Sequence, residues 1–159
     1  MIFLHIPKTG GSAIIDRLKV NHSKHIPMKF CEKRKGWWTV VRNPFDRLIS
    51  MYAYTNNYVI DENPDKVKKW FSDQIKNPMP VNEFANLITP MCEYIDFSQD
   101  VEVLRFENLQ DEIKKRYDVD LPVVNFSRRG NYEYYYDEEL REIVLDYYRE
   151  DFKLFNYKV

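Results

Sequence analysis

The chain has 159 residues, 44% hydrophobic and 16% aromatic, enough to bury a core and too apolar for a disordered polypeptide despite 31% charge. Its formal net charge of −1 supplies no field for nucleic acid, so any anion site must be a local concentration of donors. No apolar run approaches the ~20 residues that cross a bilayer, and the chain does not open on a basic region followed by a long apolar stretch. Cys31 and Cys92 lie far apart and are read as two reduced thiols rather than a bridge. These observations set the expectation of one cytoplasmic domain over 1–159, soluble, monomeric or weakly self-associating, with no membrane or nucleic-acid partner.

The elements follow in order. Ile2 to Ile6 is a short apolar strand ending at Pro7. Ser12 reads as the N-cap of a helix whose Ile14, Ile15 and Leu18 share a face. Residues 21–36 are polar and basic, a surface loop. Trp37 to Val41 is a second buried strand, and a helix from Pro44 through Tyr54 starts with proline in its first turn. Two amphipathic helices are expected over about 65–75 and 81–88, with 56–92 as a helical acceptor-site or lid region. Val101 to Phe106 is a third strand running into a short helix that ends at Tyr117, and Leu121 to Phe126 is extended. Asp137 caps a last helix with Leu140, Ile143, Val144 and Tyr147 on one face. Alternating strands and helices predict an α/β fold, a P-loop-like three-layer arrangement with a central, mainly parallel sheet flanked by helices.

Two segments carry chemistry. Pro7-Lys8-Thr9-Gly10-Gly11-Ser12 lies between a strand and a helix, where backbone N–H groups and a helix N-terminus face an anion. Lys8 adds charge, and the Thr9 and Ser12 hydroxyls add donors. The lysine precedes the glycines, so the P-loop of nucleotide triphosphatases is not matched, and no strand ends in an apolar-then-Asp signature for magnesium; no metal is expected. In Val40-Val41-Arg42-Asn43-Pro44-Phe45-Asp46-Arg47-Leu48-Ile49-Ser50, Arg42 stands where a strand meets a helix and Ser50 two turns later on the helix flank. An arginine fork and a hydroxyl there suit a second phosphate. Asp46 and Arg47 read as surface charges of the helix.

Two phosphate sites on consecutive strand–helix units resemble the sulfotransferases that use 3′-phosphoadenosine 5′-phosphosulfate (PAPS), most nearly their carbohydrate branch of heparan sulfate 2-O and 6-O type with its small microbial or viral relatives. HIPKTGGS is similar to that family's 5′-phosphosulfate loop and VRNPFDRLISMY to its 3′-phosphate segment; VLRFENL and YREDFKLFNY extend the likeness. The resemblance implies that Lys8, Thr9, Gly10, Gly11 and Ser12 hold the 5′-phosphosulfate, and that Arg42 and Ser50 hold the 3′-phosphate. Lys8 would also be catalytic, neutralising the departing oxygen. The product would be adenosine 3′,5′-bisphosphate and the partner a hydroxyl-bearing acceptor, a carbohydrate or small molecule.

An alcohol acceptor needs a general base. His25 lies between the two phosphate motifs and is the first candidate, His22 the alternative; a carboxylate such as Glu32 stays open, and His5 is expected to be structural. Ser127-Arg128-Arg129-Gly130 resembles a loop laid against the 3′-phosphate, with Arg129 as a donor. The tyrosines at 132–136 would stack on a ring or pack in the core, and Glu107 would fix a strand-to-helix turn. A P-loop small-molecule kinase and a non-catalytic nucleotide-binding module remain the competing functions.

Overall fold

The computed structural model describes residues 1–122 and 130–159. Its centre is β2, Trp37–Val41, five consecutive buried residues. β1, Ile2–Leu4, pairs with β2 in parallel, Phe3 opposite Trp38, and β3, Val101–Arg105, pairs with its other edge, Trp38 opposite Glu102. Parallel neighbours need crossover connections, and the intervening helices supply them. A continuous Trp-Trp-Thr-Val-Val run suits a strand covered on both faces. Its one polar member, Thr39, donates its hydroxyl to the Leu4 carbonyl at 2.8 Å.

Side chains alternate across the sheet. Phe3, Trp38, Val40 and Leu104 pack on α1, Gly11–Leu18, and α4, Leu109–Tyr117. Leu4, Trp37 and Val41 face the opposite way, onto Met28, Met91, Tyr94 and Phe155. Beside this lies a helical cluster: α2, Pro44–Thr55; α3, Pro64–Lys76; α5, Glu138–Tyr147; and α6, Arg149–Leu154. The α/β architecture with a parallel sheet between helical layers is the one expected. Asp137 caps α5 by accepting from the Leu140 N–H, as its position implied.

Three elements depart from expectation. α1 starts at Gly11, with Gly10 at φ 87° as its cap, not Ser12; the left-handed residue turns the chain into the helix two positions before the expected cap, a conformation glycine adopts without steric cost. Residues 81–88 form no helix. Asn82 Oδ1 instead accepts from the Phe84 and Ala85 N–H groups, the Leu87 N–H goes to the Met79 carbonyl, and Leu87 and Ile88 are buried from a folded-back loop. Of the two helices expected within 56–92, only the first is present, as α3, and irregular chain follows it up to a short helical turn at Met91–Tyr94. The last helix is also two, broken at Tyr148. Cys31 and Cys92 are both free thiols, half-buried. Burial pushes the Cys92 thiol up to about 12 and the Cys31 thiol up as well, so neither is a ready nucleophile.

Candidate active site

The carboxyl ends of β1 and β2 deliver the two motifs to one cleft of about 690 Å³, within the range of small-molecule sites. Lys8, Gly10, Gly11 and Ser12 line it from the first motif, Arg42 and Ser50 from the second, and His25 from the loop between.

The first motif is a tight left-handed turn. Lys8 has φ 64° and Gly10 φ 87°. A Cβ on Gly10 would come within 3.0 Å of the Phe106 ring, and one on Gly11 would run into the His5 imidazole. A helix cannot pair its first-turn N–H groups internally, and here that turn, from Gly11 to Ala13, faces the cleft. The Ser12 hydroxyl is exposed there. Thr9 is not: it is fully buried and donates its hydroxyl to the Ile6 carbonyl at 2.9 Å, so its side chain closes the turn instead of offering a donor to the cleft.

Arg42 is fixed on several sides. Its Nε donates to Asp46 Oδ2 at 2.7 Å, its Nη1 to the Lys8 carbonyl at 3.1 Å, and its guanidinium lies 4.0 Å from the centroid of the Phe106 ring. Asp46 is thus no solvated helix charge; it orients the arginine that joins the two motifs. Arg47 departs further from expectation. It is completely buried, donating from Nε to the Pro7 carbonyl at 3.0 Å and from both Nη groups to the Thr89 carbonyl at 3.1 Å. Five donors in a rigid fork can satisfy two carbonyls at once, which a lysine cannot match. The four-residue spacing from Arg42 to Asp46 could have signalled that ion pair, whereas no such spacing marks the partners of Arg47.

Glu107 is structural as expected, on the adjacent turn. Its carboxylate accepts from the Asn43 N–H at 2.7 Å and from the Tyr157 hydroxyl at 3.0 Å, fixing the β2–α2 junction that carries Arg42.

The histidines form a cluster. The His25 ring is tilted against that of His5, centroids 4.0 Å apart, and His22 stands edge-on to His5 at 5.7 Å. The His5 carbonyl can only accept, so His25 Nδ1, 2.9 Å away, carries the proton and its Nε2 holds the free lone pair. Burial lowers the His25 pKa, against the raising effect of that hydrogen bond, with His22 and Arg47 also lowering it. The imidazole is therefore neutral near pH 7. His5 is held lower, at about 3, by burial and then by the two neighbouring rings. His22 does not line the cleft; its Nδ1 accepts from the Lys24 N–H. Glu32 is exposed and paired with Arg34 at 2.8 Å, away from the cleft. Of the candidate bases, His25 lines the cleft with the two motifs and Glu32 and His22 do not.

A family model described as the sulfotransferase domain matches residues 17–119, well over half of the chain. The chain belongs to the sulfotransferase domain family. The matched stretch contains Arg42, Ser50 and Glu107 and starts just after the first motif. No curated protein and no solved structure matches the chain. No helix among the described residues of this sulfotransferase-domain protein is long and apolar enough to cross a membrane.

The remaining wall is partly tyrosine. Tyr132 lines the cleft beside Gly130 and Asn131, whereas Tyr135 is buried in the helical cluster. Tyr136 donates its hydroxyl to the Phe45 carbonyl at 2.9 Å, so it too packs. Ser127, Arg128 and Arg129 lie outside the described residues. Sequence reasoning missed Tyr54 and Tyr58, whose rings meet the Lys8 ammonium at 4.5 and 5.7 Å from their centroids. Tyr54 falls one turn after Ser50, the signal that would have found it. Tyr58 has φ 62°, a backbone that costs a bulky residue on the order of 1 kcal/mol; its N–H to the Ala53 carbonyl, 2.7 Å, holds it there.

Proposed function

We propose that this protein transfers a sulfuryl group from PAPS to an acceptor hydroxyl. The observation that carries the reading is that Lys8 with the first turn of α1, Arg42 with Ser50, and a neutral His25 all line one cleft. That arrangement suits a donor with phosphates at both ends and an alcohol between the sulfur and a base. In this reading Lys8, Gly10, Gly11 and Ser12 hold the 5′-phosphosulfate and Arg42 and Ser50 the 3′-phosphate. The Thr9 hydroxyl, already donated to Ile6, serves the loop and not the ligand.

The donor supplies an activated sulfuryl group. His25 Nε2 takes the proton of the acceptor hydroxyl as its oxygen forms the new bond to sulfur. The bond from sulfur to the 5′-phosphate oxygen breaks, and Lys8 neutralises the charge left on that oxygen. Bisphosphate and sulfate ester are the products, and every proton is accounted for. Removing a single donor of this kind typically slows catalysis by about 10²–10³-fold.

Calorimetry tests the donor half. Adenosine 3′,5′-bisphosphate is expected to bind without magnesium, and more tightly than ATP. Binding of ATP that requires magnesium, with no bisphosphate binding, would overturn the reading in favour of a kinase. Release of bisphosphate from PAPS in the presence of acceptors tests turnover. It should fall by about 10²-fold or more in Lys8→Ala and by a similar factor in His25→Ala, with bisphosphate affinity kept in the latter. Bound bisphosphate without any turnover over a broad acceptor screen would instead mark a non-catalytic nucleotide-binding module. Soluble carbohydrates and small alcohols are the acceptors to screen.

A further inference from the structure

One wall of the cleft is a single stripe. Arg42, Asp46, Ser50 and Tyr54 succeed one another at four-residue spacing, and all four line it. That spacing keeps Asp46, Ser50 and Tyr54 on one side of α2, about a turn apart, with Arg42 just ahead of the helix's N-cap. The stripe begins at the guanidinium and ends at an aromatic corner. There the Tyr54 and Tyr58 rings stand edge to face, centroids 6.3 Å apart and planes at 74°, around the Lys8 ammonium. Tyr54 is 49% exposed, so its surface is open to the cleft, and Tyr58 is set by the left-handed turn that follows α2.

We propose that Tyr54 and Tyr58 form the acceptor platform, and that the acceptor hydroxyl is carried on a six-membered ring, a pyranose or a phenol, whose apolar face stacks on Tyr54. This rests on the sulfuryl-transfer reading. In that reading the nucleotide extends from Lys8 towards Arg42, so the far end of the stripe is left for the other substrate. A molecule stacked on a ring that Lys8 touches lies beside the oxygen from which the sulfuryl departs. Two rings set as a corner contact a flat ring on its face and edge, a surface that a linear alcohol cannot use.

The same geometry couples the substrates. Lys8 lies over Tyr54, and a phosphosulfate that draws the ammonium away uncovers the ring face. Donor product and acceptor then strengthen each other by one common factor, since coupling is reciprocal.

The experiment uses the full chain. Calorimetry with adenosine 3′,5′-bisphosphate is run on wild type, Tyr54→Phe, Tyr54→Ala and Tyr58→Ala. Saturation-transfer NMR then follows 4-nitrophenol, methyl β-D-galactopyranoside and 1-butanol against the bisphosphate-loaded proteins. All four proteins should bind bisphosphate. At least one ring probe should bind wild type and Tyr54→Phe, with Kd raised about fivefold in Tyr54→Ala, and should bind more weakly without bisphosphate. A ring probe that binds Tyr54→Ala as well as wild type overturns the platform. So does failure of both ring probes on bisphosphate-loaded wild type, or 1-butanol binding as tightly as the rings. Failure of wild type to bind bisphosphate overturns the sulfuryl-transfer reading instead.

Discussion

At Gly11 helix propensity and site geometry oppose each other. It occupies the first helical position of α1, where alanine ordinarily gains up to about 1 kcal/mol over glycine. A Cβ there, however, would occupy space filled by the His5 imidazole. The ring has little room to retreat, since it is 92% buried and packs against Phe3 at 5.6 Å and His25 at 4.0 Å. Overpacking of this kind costs about 1–3 kcal/mol. Gly11→Ala is therefore expected to destabilise by about 2 kcal/mol, read from the urea midpoint, and to weaken bisphosphate binding by calorimetry. A midpoint that rises would mean that the His5 ring yields freely. Glycine at this position is thus what lets the turn at the start of α1 and a histidine cluster share one corner.

At the scale of elements, α2 holds the first motif to the rest of the molecule through Arg47. Its guanidinium bridges Pro7, in the first motif, to Thr89, in the loop that precedes the Met91–Tyr94 turn. That same turn is gripped from the other side by Asp151 of α6, which accepts from the Met91 and Cys92 N–H groups at 2.8 Å each. Removing the buried cation leaves the Pro7 and Thr89 carbonyls without their donor, and takes away the charge that counters the burial-driven rise of the Asp151 carboxyl. Arg47→Met is expected to cost about 2–5 kcal/mol, about 1–3 kcal/mol for each buried carbonyl left unsatisfied, whereas a surface arginine would change stability by less than about 0.5 kcal/mol. Urea unfolding separates the two. The strands, α2 and its proline start, the Asp137 cap and the strand-to-helix turns at Lys8 and Arg42 that line the cleft were legible because each depends on residues adjacent in sequence. Arg47 and Asp46 were not, since a charge looks the same in sequence whether water or a carbonyl receives it. The 81–88 segment misled for another reason. Val81, Leu87 and Ile88 have helix-like spacing, but Asn82 offers its side chain to the backbone and wins the competition with the helix. Tyr54 and Tyr58 were hidden because they become partners only once Lys8 is folded over them.

For the whole molecule, the histidine cluster ties stability to pH. The cluster joins three parts of the chain. The His5 N–H donates to Ser23 Oγ at 3.0 Å, His25 bonds the His5 carbonyl, and Asn82 Nδ2 donates to the His25 carbonyl at 2.9 Å. Protonating His5 inside it places a charge among two other imidazoles with little water, which is why its pKa sits near 3 instead of 6.5. The unfolded chain has no such penalty. Above pH 6.5 His5 is neutral in both states, and its contribution to stability is complete. Below 6.5 the unfolded state takes up a proton that the folded state refuses, so stability falls with pH until the folded pKa near 3 is reached. Between pH 7 and pH 5 the loss from His5 is about 2 kcal/mol, and His25, lowered in the same direction, adds to it. His5→Phe keeps an aromatic ring and removes the titration. Wild type should therefore lose about 2 kcal/mol more than His5→Phe between these pH values, read from urea midpoints in matched buffers. Equal losses in the two proteins would show that folded His5 titrates at its ordinary pKa, and that the packing of its ring against Gly11 and His25 does not exclude the proton.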